Sequence, residues 1–330
     1  MTILPLQIRL KKKYRGVIIE MINKFPILSW APHPAPEIQA DLVDKLEQGS
    51  VLHFDKLPFV LDNSEQQFLS PDIIAPGRKN ISYDVNRRVI KGINPAKNPL
   101  EHLMLVAMVH RFANHSKKLV ENLFPHYARH LEMGRTSFRP IEIAERAPLS
   151  GHKDDRLLHV DSFPATPVGG KRILRLFSNV HPSQVPRHWR LGASFTEAME
   201  EFIPTIKKPF PFSRRLKQVF KLTRGYQTLY DYYMLNLHNT MKMDHAYQEK
   251  YPKIYELPSK TTWLVFTDVA PHAAMSGQYL LEQTFYLPPE FMVRPERSPL
   301  GMLEKYLKTS LIAKSELVSD NAKQNCGQAI

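Results

Sequence analysis

Apolar residues along this chain change their spacing several times, and each change marks an element. Over 36–49, Ile38, Leu42 and Leu46 recur at helical spacing with acids between them, the pattern of a short amphipathic helix. Residues 51–61 follow as extended chain, and 82–92 read as strand and turn. From Asn98 the period is helical again: Leu100, Leu103, Met104, Ala107 and Met108 share a stripe that continues through Leu119, Leu123 and Phe124. A helix or helix pair is therefore expected over about 99–133. Residues 136–147 alternate as a strand, and 171–180, 261–267 and 278–287 also read as strands. Residues 196–250 are helical in pattern, broken at Pro204, Pro209 and Pro211.

This order predicts an α+β chain organised as one elaborated domain over 1–330. Helical and extended elements lead over 1–80. Strands over 135–195 and 257–290 carry the candidate chemistry, and a mainly helical, basic insertion over 196–256 separates them. The tail, 315–330, is polar and expected to fray.

Composition narrows the class without deciding it. With 43% apolar and 23% charged residues, the 330-residue chain has the make-up of a globular protein with a substantial core. Its 45 Lys and Arg against 32 Asp and Glu give a formal charge of +13. An excess of that size favours an anionic partner: nucleic acid, a phospholipid surface, or a phosphorylated or carboxylated substrate. The single cysteine, Cys326, leaves no disulfide within the chain and no cysteine-built zinc site, so a reducing, cytoplasmic setting is expected. Apolar residues precede the cluster Lys11-Lys12-Lys13, the reverse of a secretory signal, and segment 7–25 is expected to pack on the core, with an anionic membrane surface as the alternative. No transmembrane segment is expected, because the apolar run 103–109 is far shorter than the roughly 18–20 residues a bilayer needs.

One stretch carries the candidate chemistry, Leu158-His159-Val160-Asp161-Ser162-Phe163. On a strand, residues two apart share a face, so His159 and Asp161 present an imidazole and a carboxylate side by side. A second histidine would complete the facial triad that holds Fe(II) with positions left open. The plainer reading is a solvated strand end that carries both residues by chance. Three downstream histidines compete for the third place: His238, His245 and His272. The first two fall in the helical insertion, where a solvated or half-buried histidine is the rule. His272 follows a strand and a turn and precedes Ala273-Ala274-Met275-Ser276-Gly277 and a further strand. That setting favours His272, and with it an iron site over chance. Two histidines and a carboxylate also suit zinc, without a clear catalytic base here. His126 and His130 lack the glutamate of an H-E-x-x-H motif and read as a solvated helix face.

An Fe(II) oxygenase using 2-oxoglutarate needs a cation for the distal carboxylate of that co-substrate, and the planar fork of arginine fits best. The strand after His272, where such an arginine commonly lies, holds Glu282 and Gln283 instead. The nearest substitutes are Arg172 and Arg175. Arg175 is preferred, because its neighbours Leu174 and Leu176 should face the other way, and Arg172 lies on their side.

Three segments together resemble the Kdo hydroxylase family over about 80–290. They are His159-Val160-Asp161-Ser162-Phe163-Pro164, the strand 172–180 with Pro182, and Asp268-Val269-Ala270-Pro271-His272-Ala273 with Ser276-Gly277-Gln278-Tyr279. Family members are Fe(II)- and 2-oxoglutarate-dependent dioxygenases acting on 3-deoxy-D-manno-oct-2-ulosonic acid (Kdo), the acidic sugar of the lipopolysaccharide inner core. The resemblance implies a double-stranded β-helix, the jelly roll of cupin-like proteins, with flanking and inserted helices. It implies His159, Asp161 and His272 as catalytic metal ligands. The residue pattern, not the resemblance, makes Arg175 or Arg172, with Ser276 and Gln283, the expected holders of 2-oxoglutarate; O2 would be the second co-substrate and ascorbate a supporting reductant. The implied reaction hydroxylates C3 of a Kdo residue on a lipid A precursor to give Ko, while 2-oxoglutarate becomes succinate.

Such a glycolipid gives the basic excess a purpose at the cytoplasmic face of the inner membrane. The expected substrate contacts are Lys171, Arg187 and Arg190, from the acid-free run 171–190, and Arg214 and Arg215, from seven basic residues over 207–224. Nucleic acid is not expected as a partner, because no aromatic residues interleave with these runs in a recognised module pattern. Two alternatives compete: an oxygenase of the same fold acting on protein or nucleic acid, and a non-catalytic basic binder that retains a cupin shell.

Overall fold

The computed structural model describes residues 21–147, 150–210 and 225–312. Lys11 to Lys13, Arg214 and Arg215, most of the 207–224 basic run, and the tail with Cys326 lie outside the described residues.

Eleven strands follow in chain order: β1 (Ile22–Lys24), β2 (Val51–Phe54), β3 (Ile81–Asp84), β4 (Val89–Lys91), β5 (Glu132–Arg139), β6 (Arg172–Asn179), β7 (Arg187–Leu191), β8 (Ile254–Leu257), β9 (Thr262–Phe266), β10 (His272–Ser276) and β11 (Leu280–Leu287). Eight form one sheet in the order β1-β2-β9-β6-β11-β5-β3-β4, and three form a second in the order β10-β7-β8. An antiparallel bridge between His159 and His272 adds the H-x-D segment beside β10. The result is an α+β fold whose two facing sheets make the expected jelly roll.

Side-chain alternation sorts the large sheet into two faces. Leu174, Leu176, Leu281, Phe285 and Phe138 enter the main core. That core also takes the apolar stripe of the long helix α2 (Pro99–Leu123) and the buried side of α1 (Pro36–Glu47). The inner face supplies Phe177, Trp263 and Val265, which pack with Trp189, Leu191 and Leu257 of the small sheet. Trp189 meets Phe177 edge-on at 5.1 Å and Trp263 at 5.8 Å, and these aromatic contacts close one end of the space between the sheets.

Helix α2 starts where Asn98 and Glu101 cap each other reciprocally with Pro99 at the first position. It ends at Leu123, short of the expected 133, because Pro125 keeps Phe124 out of the helical region (φ −131°, ψ 69°). β5 therefore begins at Glu132, earlier than the expected 136, and ends before Pro140. Among the described residues, the helices between the two strand groups are α3 (Phe195–Phe202), α4 (Leu229–Met243) and α5 (His245–Lys250), followed after β11 by α6 (Pro299–Leu307). Thr228 and Asp231 cap α4, and Asp231 also accepts from the amides of Val168 and Gly169 at 2.9 and 3.1 Å. These bonds tie α4 to the loop that follows the H-x-D segment.

Arg172 has a structural role in place of the expected co-substrate contact. It lies on the core face of β6, fully buried, with its guanidinium forked onto Asp268 at 2.7 and 3.1 Å and stacked 3.8 Å from the Phe266 ring. Removing one partner of a buried pair leaves a charge that nothing compensates. Arg172→Met is expected to lower unfolding stability by about 3–5 kcal/mol, measured by urea titration.

Candidate active site

Residues 158–161 hang from hydrogen bonds made by other elements. The amide of Leu158 donates to Gln248 Oε1 at 2.7 Å, and Gln248 Nε2 donates back to Leu158 O at 3.0 Å. His159 and His272 exchange backbone bonds of 3.1 and 2.9 Å. His238 Nδ1 donates to Val160 O at 2.7 Å, and the amide of Asp161 donates to Thr267 O at 2.8 Å.

This scaffold brings together His159, Asp161 and His272, whose ligating atoms all lie within 4.8 Å of one another. All three residues are buried. His159 Nδ1 faces Leu157 O at 2.7 Å and His272 Nδ1 faces Ala270 O at 2.9 Å. A carbonyl can only accept, so each Nδ1 carries the proton and each Nε2 is left with a lone pair for a metal. Burial, then the neighbouring His272, Lys242 and His238, pushes the His159 pKa well down, which keeps the imidazole neutral. Burial pushes the Asp161 carboxyl up, but the Arg175 guanidinium opposes it and the net shift is downward, so Asp161 is ionised. Its enclosed Oδ2 accepts no well-aligned hydrogen bond among the described residues and lies 3.2 Å from Arg175 Nε. Two neutral imidazoles and one carboxylate fit a divalent iron.

The cleft in front of these ligands has a volume of about 300 Å³. On its inner wall Arg175 reaches Asp161 Oδ2 at 3.2 Å and Glu282 Oε1 at 3.3 Å, while Arg139 holds the other oxygen of Glu282 at 2.8 Å. Deeper, Arg187 is 3% exposed; one nitrogen donates to Gly277 O at 3.3 Å, and its Nε has no acceptor among the described residues. Burial, then Arg139 and Arg146, pulls the Arg187 pKa down to about 9 against the weaker pull of Glu282 and Glu142, so this guanidinium stays charged at neutral pH without an ion-paired carboxylate among the described residues. From α4, His238 and Lys242, one turn apart, also line the cleft, joined by Lys79 and Asp155. Lys242 is 4% exposed and donates to His152 O at 3.2 Å. Burial raises the Asp155 carboxyl, but Arg139 and Lys79 outweigh it and hold it at about 2.

Of the residues expected at the site, His159, Asp161, His272, Arg175 and Arg187 line this one cleft. The others are placed elsewhere, and strand alternation is the usual reason. Gln283 points to the opposite side from Glu282 and binds Thr136 Oγ1 at 2.6 Å. Ser276 is paired with His188 Nδ1 at 2.7 Å. Arg190, next to inward-facing Trp189, turns outward to the carbonyls of Tyr251 and Gln248. Lys171 is held by the Glu132 carboxylate at 2.7 and 2.8 Å. His238 lies with its ring centre 4.9 Å from that of His159, but its Nδ1 bond to Val160 makes it a support for the segment. Arg139, Glu282, Lys79, Asp155 and Lys242 were not read as site residues. Arg139 and Glu282 share the strand face of Arg175, a signal readable only once strand register is known.

A family model described as 3-deoxy-D-manno-oct-2-ulosonic acid (Kdo) hydroxylase matches residues 29–310. The chain belongs to the Kdo hydroxylase family. Three solved structures of the Kdo hydroxylase KdoO, a non-heme Fe(II) alphaketoglutarate dependent dioxygenase, are similar at 42% identity. The complex with alphaketoglutarate and Fe(III) has a TM-score of 0.84, covering 88% of this chain and 97% of that one. The cobalt(II) complex gives 0.86, with 89% and 98% covered, and the apo structure 0.85, with 88% and 97%. No curated protein matches. The expected family and jelly-roll fold are thus borne out, and with them a dioxygenase that takes Fe(II) and 2-oxoglutarate.

Replacing His159, Asp161 or His272 by alanine is expected to abolish stoichiometric Fe(II) binding in anaerobic titration while the circular dichroism spectrum stays native. His238→Ala is expected to keep binding but to weaken it by about 10–100-fold, as loss of an outer support typically does.

Proposed function

We propose that this chain hydroxylates C3 of a Kdo residue in a Kdo-containing lipid A precursor, consuming 2-oxoglutarate and O2 and releasing succinate and CO2. The observation that carries this reading is the convergence of His159, Asp161 and His272 at the cleft of a Kdo hydroxylase fold. Iron held there supplies the oxidising chemistry. The protein's own side chains bind, orient and exclude water.

Arg175 holds Asp161 in its ligating orientation and is itself balanced by Glu282. Arg187 takes the distal carboxylate of 2-oxoglutarate. It is the buried cation with an unused donor and no carboxylate against it, and Phe177, Trp189 and Leu280 line the same cleft to exclude water around the carbon chain of the co-substrate. This reading moves the anchor from Arg175 and gives Arg187 the co-substrate in place of the sugar. Lys242, on the side of the cleft formed by α4, binds the substrate carboxylate. C3 is two bonds from that carboxylate, so fixing the acid group also fixes the hydrogen presented to the metal.

Among the described residues no helix is long and apolar enough to cross a membrane. We place the reaction at the cytoplasmic face of the inner membrane, where a protein of charge +13 meets an anionic glycolipid.

Incubation with Fe(II), 2-oxoglutarate and a Kdo-containing lipid A precursor is expected to add one oxygen atom to the glycolipid by mass spectrometry. An unchanged mass with active, iron-loaded protein would contradict the assignment. Arg187→Met is expected to raise KM for 2-oxoglutarate about 10–100-fold, the loss of one charge-assisted contact, with little change for the sugar. Lys242→Met is expected to do the reverse, raising KM for the glycolipid by about tenfold or more, with partial rescue in Lys242→Arg.

A further inference from the structure

Among the described residues the large sheet has eight strands and the facing sheet three, so part of the inner face has no opposing strand there. The small sheet packs over β9, β6 and the start of β11 through Trp189, Leu191 and Leu257. Beyond it, β5 and β3 carry the inner face outward beside a second cleft of about 670 Å³. Alternation decides what lines it. Tyr83, Phe138 and Phe285 point to the core, while Ser82, Asp84, Arg135, Ser137, Thr284 and Tyr286 face the cleft. This floor is polar where a sheet covered by another sheet would be apolar. The second cleft shares Arg139, Phe163, Arg175 and Glu282 with the metal-site cleft, so the two adjoin along one wall.

The lining has the chemistry of an anionic saccharide site. Serine and threonine hydroxyls both donate and accept, as sugar hydroxyls do, and guanidinium forks match phosphate or carboxylate. Four arginines (Arg87, Arg135, Arg139 and Arg175) line the cleft against two carboxylates, Asp84 and Glu282. Arg135 sits 3.3 Å from Asp84 with its side chain 39% exposed, and Arg87 is exposed on the turn between β3 and β4. Gly134 lets the Tyr286 ring lie close to the sheet: a Cβ there would stand 3.0 Å from the ring and 2.9 Å from Thr284 O. The half-exposed ring offers a flat apolar surface to the C–H face of a sugar.

We propose that this cleft binds the anionic saccharide unit adjoining the hydroxylated Kdo within the same glycolipid. It thereby selects extended substrates over the isolated sugar acid. The proposal rests on the Kdo hydroxylase reading and adds a second subsite to it.

Two substitutions test it away from the metal ligands. Ser82→Tyr fills the middle of the floor, and Arg87→Glu reverses an exposed charge at the rim. Wild type and both variants are assayed on two probes, a Kdo-containing lipid A precursor and the methyl glycoside of Kdo, with Fe(II) affinity measured in parallel. The expected result is a loss of about tenfold or more in kcat/KM on the glycolipid, mainly through KM, with unchanged turnover of the methyl glycoside and unchanged Fe(II) affinity. A wild type that accepts the glycolipid but not the methyl glycoside, with both variants impaired, supports the same conclusion. Variants that process the glycolipid like wild type overturn the subsite while leaving the function standing. So do equal losses on both probes. Wild-type protein inactive on both probes contradicts the function itself.

Discussion

The reciprocal backbone bridge between His159 and His272 is the constraint on which the rest of the site depends. Neither residue lies near the other in sequence, yet two hydrogen bonds set their side chains on one face of the small sheet, their ring centres 4.9 Å apart. Asp161 follows because a strand returns to the same face every second residue. The neighbouring bonds from Gln248, His238 and Thr267 keep a short, otherwise unpaired segment from shifting register, and a shift by one residue would turn both of its ligands away. Helices α4 and α5 therefore act as the clamp on the candidate metal-binding segment. Asp231, which caps α4 and also holds the loop amides of Val168 and Gly169, ties that clamp to the chain just past the ligands.

Charge is arranged around this frame in a graded way. Near the ligands each cation has a partner: Arg175 with Asp161 and Glu282, and Arg139 with Glu282. By contrast, Arg187 donates to a carbonyl and has no carboxylate paired with it among the described residues, and Lys242 likewise donates to a carbonyl. In a low-dielectric cleft such cations are costly when empty and correspondingly favourable when an anion arrives. On the proposed function, these two cations receive the dicarboxylic co-substrate and the acidic sugar. Polar residues on the uncovered inner face of β3 and β5 extend the same logic to a longer ligand.

Much of this was legible in the sequence because it depends on local spacing. The period-two pair His159 and Asp161, the strand setting of His272 and the alternation that separates Arg175 from Arg172 each need knowledge of one strand only. What escaped depends on which strand lies beside which. Arg139 and Glu282 become neighbours through the pairing of β5 with β11, and Arg187 gains its isolation from the surrounding guanidiniums. Gln283 was misplaced for a related reason: it adjoins the right position, but adjacent residues on a strand face opposite ways. Lys242 and His238 sat on a helix whose docking face the spacing did not define. The early end of α2 shows a local signal read too weakly, since Pro125 was visible and decides it.

The most direct measurement is a crystal structure of the protein grown with Co(II) and 2-oxoglutarate, with anomalous differences collected at the cobalt edge. The account predicts one strong peak about 2.0–2.2 Å from His159 Nε2, His272 Nε2 and an Asp161 oxygen, with the distal carboxylate of 2-oxoglutarate against Arg187. A peak elsewhere, or a co-substrate whose distal carboxylate avoids Arg187, would contradict it.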